Sequence, residues 1–149
     1  MSGIGTQTHI HLTYPTLEQV DQTLSELGEL GIKVMVTELD IDILPQVRHS
    51  DEVNSHLEGS AKLDPYAAGL PAEVQAALSK RYGDLFAIFA KHSGTLKRVT
   101  FWGVTDANSW LNDWPVRGRT NYPLLFNRDG RQKPALESVI KALGARGEN

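Results

Sequence analysis

The run Lys33-Val34-Met35-Val36-Thr37-Glu38-Leu39-Asp40-Ile41 constrains this chain more than any other stretch. Its apolar, β-branched opening is that of a strand buried on both faces, as in a parallel sheet. Its end carries two carboxylates, Glu38 and Asp40. Side chains alternate along a strand, so Val34, Val36, Glu38 and Asp40 are expected on one face. A desolvated carboxylate is costly unless it is paired or hydrogen-bonded. The acids are therefore there either because the strand tip reaches solvent or because they do chemistry. Parallel α/β folds keep their chemistry at the carboxyl ends of strands, which is where Glu38 falls.

Upstream, Gly3 to Ile10 reads as a short strand with Gln7 and His9 on one face. After a turn at Tyr14-Pro15, Thr16-Leu17-Glu18-Gln19 fits a capping box. The helix it opens carries Leu17, Val20, Leu24 and Leu27 on one stripe and stops at Gly31. The acid-bearing strand follows, so strand, helix and strand make a βαβ unit with parallel strands. Residues 44–70 are loop-like, and a loop of that length on the face carrying Glu38 is expected to be functional. Pro71 opens a helix ending near Gly94, and Arg98 to Gly103 is a third strand with Thr100 and Trp102 on one face. A long connection with turns at Asn112-Asp113-Trp114-Pro115 and Asn127-Arg128-Asp129-Gly130 leads to a last helix from Pro134 to Gly144, with a frayed tail beyond.

Three strand–helix units do not make a covered sheet, and a (β/α)₈ barrel needs about 250 residues and eight units. The 149 residues are expected to form the carboxyl-terminal part of such a barrel, about three units. The opening Met1-Ser2-Gly3 runs almost directly into structured sequence, as if cut from a longer protein.

Composition narrows the function. A formal net charge of −3 and no Lys/Arg run argue against a nucleic-acid partner. No apolar run approaches the ~20 residues of a membrane span, and no signal peptide opens the chain. With no cysteine there is neither a disulfide nor a thiolate nucleophile.

Gln7 and His9 end the first strand, Glu38 and Asp40 the second, and Trp102 the third. Parallel neighbours would bring all five to one rim, where a histidine can orient a carboxylate. Trp102, Trp110 and Trp114 fall within thirteen residues, beside Asn108, Asn112 and Asp113. They are core aromatics or a sugar platform, since sugar CH faces stack on indoles while amides and acids bond the hydroxyls. Arg117 and Arg119 are loop braces or an anion site. A rival constellation pairs His9 and His11, one residue apart, with the two acids, as in metal-dependent barrel hydrolases; it lacks a third histidine at a strand end.

Four ordered segments resemble glycoside hydrolase family 10, the endo-β-1,4-xylanases. They are Gly3 to His9, Val36 to Ile41, Val99 to Val104, and Ser109 to Arg119 continued by Asn121 to Phe126. The resemblance implies a (β/α)₈ barrel that cleaves xylan or xylo-oligosaccharides with retention, without cofactor or metal, in a secreted or periplasmic protein. It places this chain from the sixth strand to the last helix. By it Glu38 is the nucleophile, His9 the histidine bonded to it, and Asp40 the acid supporting that histidine. Gln7, Trp102 and Trp110 line the sugar sites beside the scissile bond. The loop after Ile41 matches the family's, and Leu63-Asp64-Pro65-Tyr66 is typical of it. His11 is outside the pattern, and Asn127 stands where aspartate is common.

One departure is large. A retaining glycosidase uses two carboxyl groups about 5–5.5 Å apart. The family carries its acid/base glutamate in an Asn-Glu pair on the fourth strand, and no Asn-Glu occurs here. Asp40 shares Glu38's strand and cannot face it across a sugar. The expectation is half a site, inactive alone, with open sheet edges that self-associate or take a complementing amino-terminal barrel fragment. A non-catalytic carbohydrate-binding half-barrel is the alternative.

Overall fold

Residues 3–46 and 62–145 are described in the computed structural model of the chain. The centre of the expected long loop and the last four residues of the tail lie outside them. Four strands and three helices run in the order β1 (Gly3–Thr6), β2 (His9–His11), α1 (Leu17–Glu29), β3 (Lys33–Asp42), α2 (Ala72–Lys91), β4 (Leu96–Phe101) and α3 (Pro134–Gly144). All strand pairings are parallel and all involve β3. β1 and β2 are two halves of one interrupted strand on one flank of β3, and β4 lies on the other. The arrangement is three β/α units with β3 central, and the outer edges of β1 and β4 carry no strand among the described residues.

Local chemistry sets the helix ends as expected. Thr16 Oγ1 accepts from the Gln19 backbone N–H, and the Gln19 side chain accepts from the Thr16 N–H, a complete capping box. Gly31, at φ +70°, provides the left-handed residue that turns the chain out of α1. Pro134 fills the first turn of α3, where a missing N–H costs nothing. The helices cover one face of the sheet, with Val34, Val36, Leu39, Ile41, Leu78, Tyr82 and Leu85 in a single buried cluster.

Three expectations need correction. The strand from Gly3 to Ile10 is not continuous. Thr8 takes φ 65°, a conformation costly for a β-branched residue, so alternation does not carry from Gln7 to His9. The third strand starts and ends two residues earlier than Arg98 to Gly103, which leaves Trp102 just beyond its tip.

The third correction concerns β3. From Thr6 to His9 is three steps, while their partners Val36 and Asp40 are four apart. On the other flank, Val99 to Phe101 is two steps against three from Val36 to Leu39. Both neighbours therefore place one extra residue in β3 just after Val36, a β-bulge. One inserted residue reverses every later side chain. Val34 and Val36 face α1 beside Val20, Leu24 and Leu27. Beyond the bulge, Leu39 and Ile41 are the fully buried apolar residues, and Glu38 and Asp40 turn to the opposite face. The four residues expected on one face are divided between two. Nor is the lower strand buried on both faces, since Met35 is 37% exposed.

Candidate active site

The bulge delivers Glu38 and Asp40 to the same histidine. His9 sits opposite Asp40 in the ladder, and its ring bridges the acids. Nδ1 lies 3.0 Å from Asp40 Oδ1, and Nε2 lies 3.0 Å from Glu38 Oε2. The two contacts need two hydrogens, so with both carboxyls ionised both ring nitrogens donate. Asp40 is fully buried, whereas the side chains of His9 and Glu38 stay 23% and 21% exposed. Burial pushes the Asp40 carboxyl above its ordinary range, against the hydrogen bonds from Trp110 and His9 that favour its ionised form.

Trp110 completes the cluster. Its Nε1–H donates to Asp40 Oδ2 at 2.7 Å, and its ring centroid lies 4.8 Å from that of His9. Trp102 meets the His9 ring edge-on at 6.3 Å. Backbone bonds hold the strand tips together: Glu38 N–H donates to the Gln7 carbonyl, and Trp102 N–H to the Leu39 carbonyl. Glu38, His9, Asp40, Trp102 and Trp110 thus converge at one mouth. Gln7 joins them through its backbone, while its exposed side chain bonds to none of the described residues.

Replacing Trp110 by Phe keeps the ring but deletes the donor to a fully buried oxygen. The expected cost is about 1–3 kcal/mol, read as a lower urea midpoint of the chain with an unchanged m-value. An unaltered midpoint would mean that Asp40 finds water instead.

The remaining sequence candidates separate clearly. His11 turns away from the acids, with Nε2 3.1 Å from the Leu44 carbonyl and Nδ1 beside Thr13, so the His-x-His pair does not converge. Arg119 is a buried brace that donates to the carbonyls of Trp114 and Pro45. Arg117 is exposed.

The sequence reading missed the polar scaffold under the tryptophan loop. Asp106 is fully buried and ion-paired to Lys133 at 2.9 Å, while its other oxygen accepts from Leu124 N–H. Lys133 also donates to the Tyr122 carbonyl. Burial raises the Asp106 pKa and lowers that of Lys133. Asn112 donates to the Asp106 and Ala107 carbonyls and accepts from Asn121 N–H and Arg128. Asn121 in turn donates to Asp42, tying the loop to the end of β3. Twenty-seven residues separate Asp106 from Lys133, and no local pattern announces the pair.

The chain resembles known proteins over most of its length. The family described as Glycosyl hydrolase family 10 matches residues 1–142. Endo-1,4-beta-xylanase A of Xylanibacter ruminicola is 37% identical over 143 residues, covering 95% of this chain and 39% of that protein. A beta-1,4-xylanase of Dictyoglomus thermophilum is 37% identical over 93% of this chain and 36% of its own. Among solved structures, a GH10 endoxylanase retrieved from sugarcane soil metagenome has a TM-score of 0.86 at 42% identity, over 95% of this chain and 41% of that one. The chain spans about 40% of the length of these relatives. Its three parallel β/α units are the carboxyl-terminal part of their (β/α)₈ barrel, and the chain belongs to glycosyl hydrolase family 10.

Proposed function

We propose that this chain carries the nucleophile half of a retaining endo-1,4-β-xylanase. The single observation that supports this best is Glu38 held through Oε2 by His9, which Asp40 and Trp110 fix from behind. Oε1 of Glu38 has no hydrogen-bond partner among the described residues and is the oxygen left to attack. In the reaction, Glu38 displaces the leaving sugar oxygen from the anomeric carbon and forms a glycosyl ester. Water then cleaves that ester, restoring the original configuration.

The leaving oxygen needs a proton, and no carboxyl group among the described residues faces Glu38 to donate it. Asp40 is buried behind His9 and cannot reach a sugar. In this reading the acid/base glutamate belongs to the part of the barrel that the chain does not carry. The chain alone then binds xylo-oligosaccharides through Gln7, Trp102 and Trp110 without hydrolysing them. Xylan is a polymer too large to enter a cell, so the reading includes a secreted or periplasmic setting.

The test is complementation. The chain is coexpressed with the amino-terminal barrel portion of the Xylanibacter ruminicola relative, and xylan hydrolysis is followed by reducing-sugar release. Neither part alone is expected to act, and the pair is. Turnover by the chain alone at the rate of an intact relative would remove the half-site reading.

A further inference from the structure

One residue beside the catalytic cluster stands in a strained conformation. Among the described residues, Thr8 is the one non-glycine residue with positive φ, at 65°. A β-branched side chain crowds its own backbone there, so the conformation persists only where the surroundings hold it. Such outliers cluster at active sites. Thr8 lies between Gln7, whose carbonyl accepts from Glu38 N–H at 2.9 Å, and His9, whose ring bridges Glu38 and Asp40.

The surroundings do hold it. Thr8 Oγ1 donates to the Thr6 carbonyl at 3.2 Å and lies 3.3 Å from Thr6 Oγ1. Thr37 Oγ1, from β3, donates to the same carbonyl at 3.1 Å. With Glu38 N–H on the Gln7 carbonyl, both carbonyls ahead of Thr8 are fixed. The ladder shows what the turn achieves. An even ladder continued from Thr6 opposite Val36 would set His9 opposite Leu39. Directly paired residues share a face of the sheet. Leu39 is fully buried in the apolar cluster, where an imidazole would lack a hydrogen-bond partner. The observed register sets His9 opposite Asp40 instead, one residue further on. The bulge in β3 supplies that residue, and on the His9 flank the left-handed turn at Thr8 is where the neighbouring strand takes up the offset.

We propose that Thr8 is a positioning residue, whose left-handed backbone, rather than its side chain, sets the His9 ring between Glu38 and Asp40. A return of Thr8 to negative φ would swing the His9 Cα–Cβ bond away from the two carboxylates and leave Glu38 Oε2 without its donor. Among the described residues the Thr8 hydroxyl bonds to no member of the catalytic cluster, so Thr8 acts through His9.

Three variants separate backbone from side chain. Glycine adopts positive φ freely and asparagine tolerates it, whereas valine keeps the shape of threonine, disfavours positive φ and lacks the hydroxyl. The readouts on the 149-residue chain are the urea midpoint and the two imidazole N–H proton resonances of His9, assigned by their loss in His9→Gln. Thr8→Gly and Thr8→Asn are expected at or above the wild-type midpoint, with both protons still protected from exchange. Thr8→Val is expected to lower the midpoint and to speed exchange of both protons about tenfold. In the chain assembled with a complementing barrel portion, Thr8→Val should lower kcat about tenfold with KM within about twofold, and Thr8→Asn should restore most of that loss. A Thr8→Val chain that matches or exceeds Thr8→Gly in midpoint and in proton protection overturns the proposal, because side-chain shape would then be what holds His9. The turnover arm rests on the xylanase reading, and the proton resonances need no substrate. An inactive wild-type assembly would count against that reading, while the resonances still decide the role of Thr8.

Discussion

Substituting Lys133 by Met is expected to destabilise the chain by about 3–5 kcal/mol, because it strands a carboxylate in the interior. Asp106 is fully buried and Lys133 is 4% exposed, so neither can turn to water when its partner goes. Removing both charges together, in Asp106→Asn with Lys133→Met, should recover a substantial part of the loss, since buried pairs contribute little net stability over apolar replacements. Urea unfolding of wild type, the single variant and the double variant gives the coupling directly. Equal stability of wild type and the single variant would show that water reaches Asp106. The pH dependence carries the same sign. Burial raises the folded-state pKa of Asp106 above its ordinary value, so its contribution is full below that ordinary value and is lost as pH rises through the folded one. Without Lys133 that folded value moves higher, and the variant should regain stability on acidification over a wider window than wild type.

Glu38→Gln, in the chain assembled with a complementing barrel portion, is expected to lower xylan turnover on the order of 10⁴-fold or more while leaving substrate affinity within a few-fold. Glutamine preserves the shape and still accepts from His9 Nε2, but its amide oxygen cannot form the ester. Glu38→Ala extends the test. Azide can enter the vacated space and attack an activated xyloside from the face Glu38 served, releasing a glycosyl azide of inverted configuration. Near-normal turnover in Glu38→Gln, or an azide product of retained configuration, would remove Glu38 from the nucleophile role.

The elements were legible where the signals are local. The capping box at Thr16, the stop at Gly31 and Pro134 at the start of the last helix are each set by a residue and its near neighbours. The convergence of His9, Glu38, Asp40 and Trp102 was legible because strand ends in a parallel sheet meet at one side. The bulge was not inferred, although its trace is in the sequence. Before Thr37 the inward apolar residues are Val34 and Val36, at even positions; after it they are Leu39 and Ile41, at odd ones. Met35, apolar and partly exposed, hides the change of phase. The Asp106–Lys133 pair joins residues 27 apart, so no window around either residue reveals it.

The extra residue after Val36 acts as a swivel. Below it the strand answers to the helices, and above it to whatever occupies the mouth. Substitutions that repack Val34 against α1 can therefore accumulate without turning the acids. Flattening the bulge without removing a residue would send Glu38 and Asp40 into the oily layer. Deleting the extra residue would instead restore an even ladder, with Leu39 and Ile41 still inward and the acids still at the mouth. The count of residues from Val36 to Leu39, more than the identity of their neighbours, decides which side of the sheet receives the chemistry.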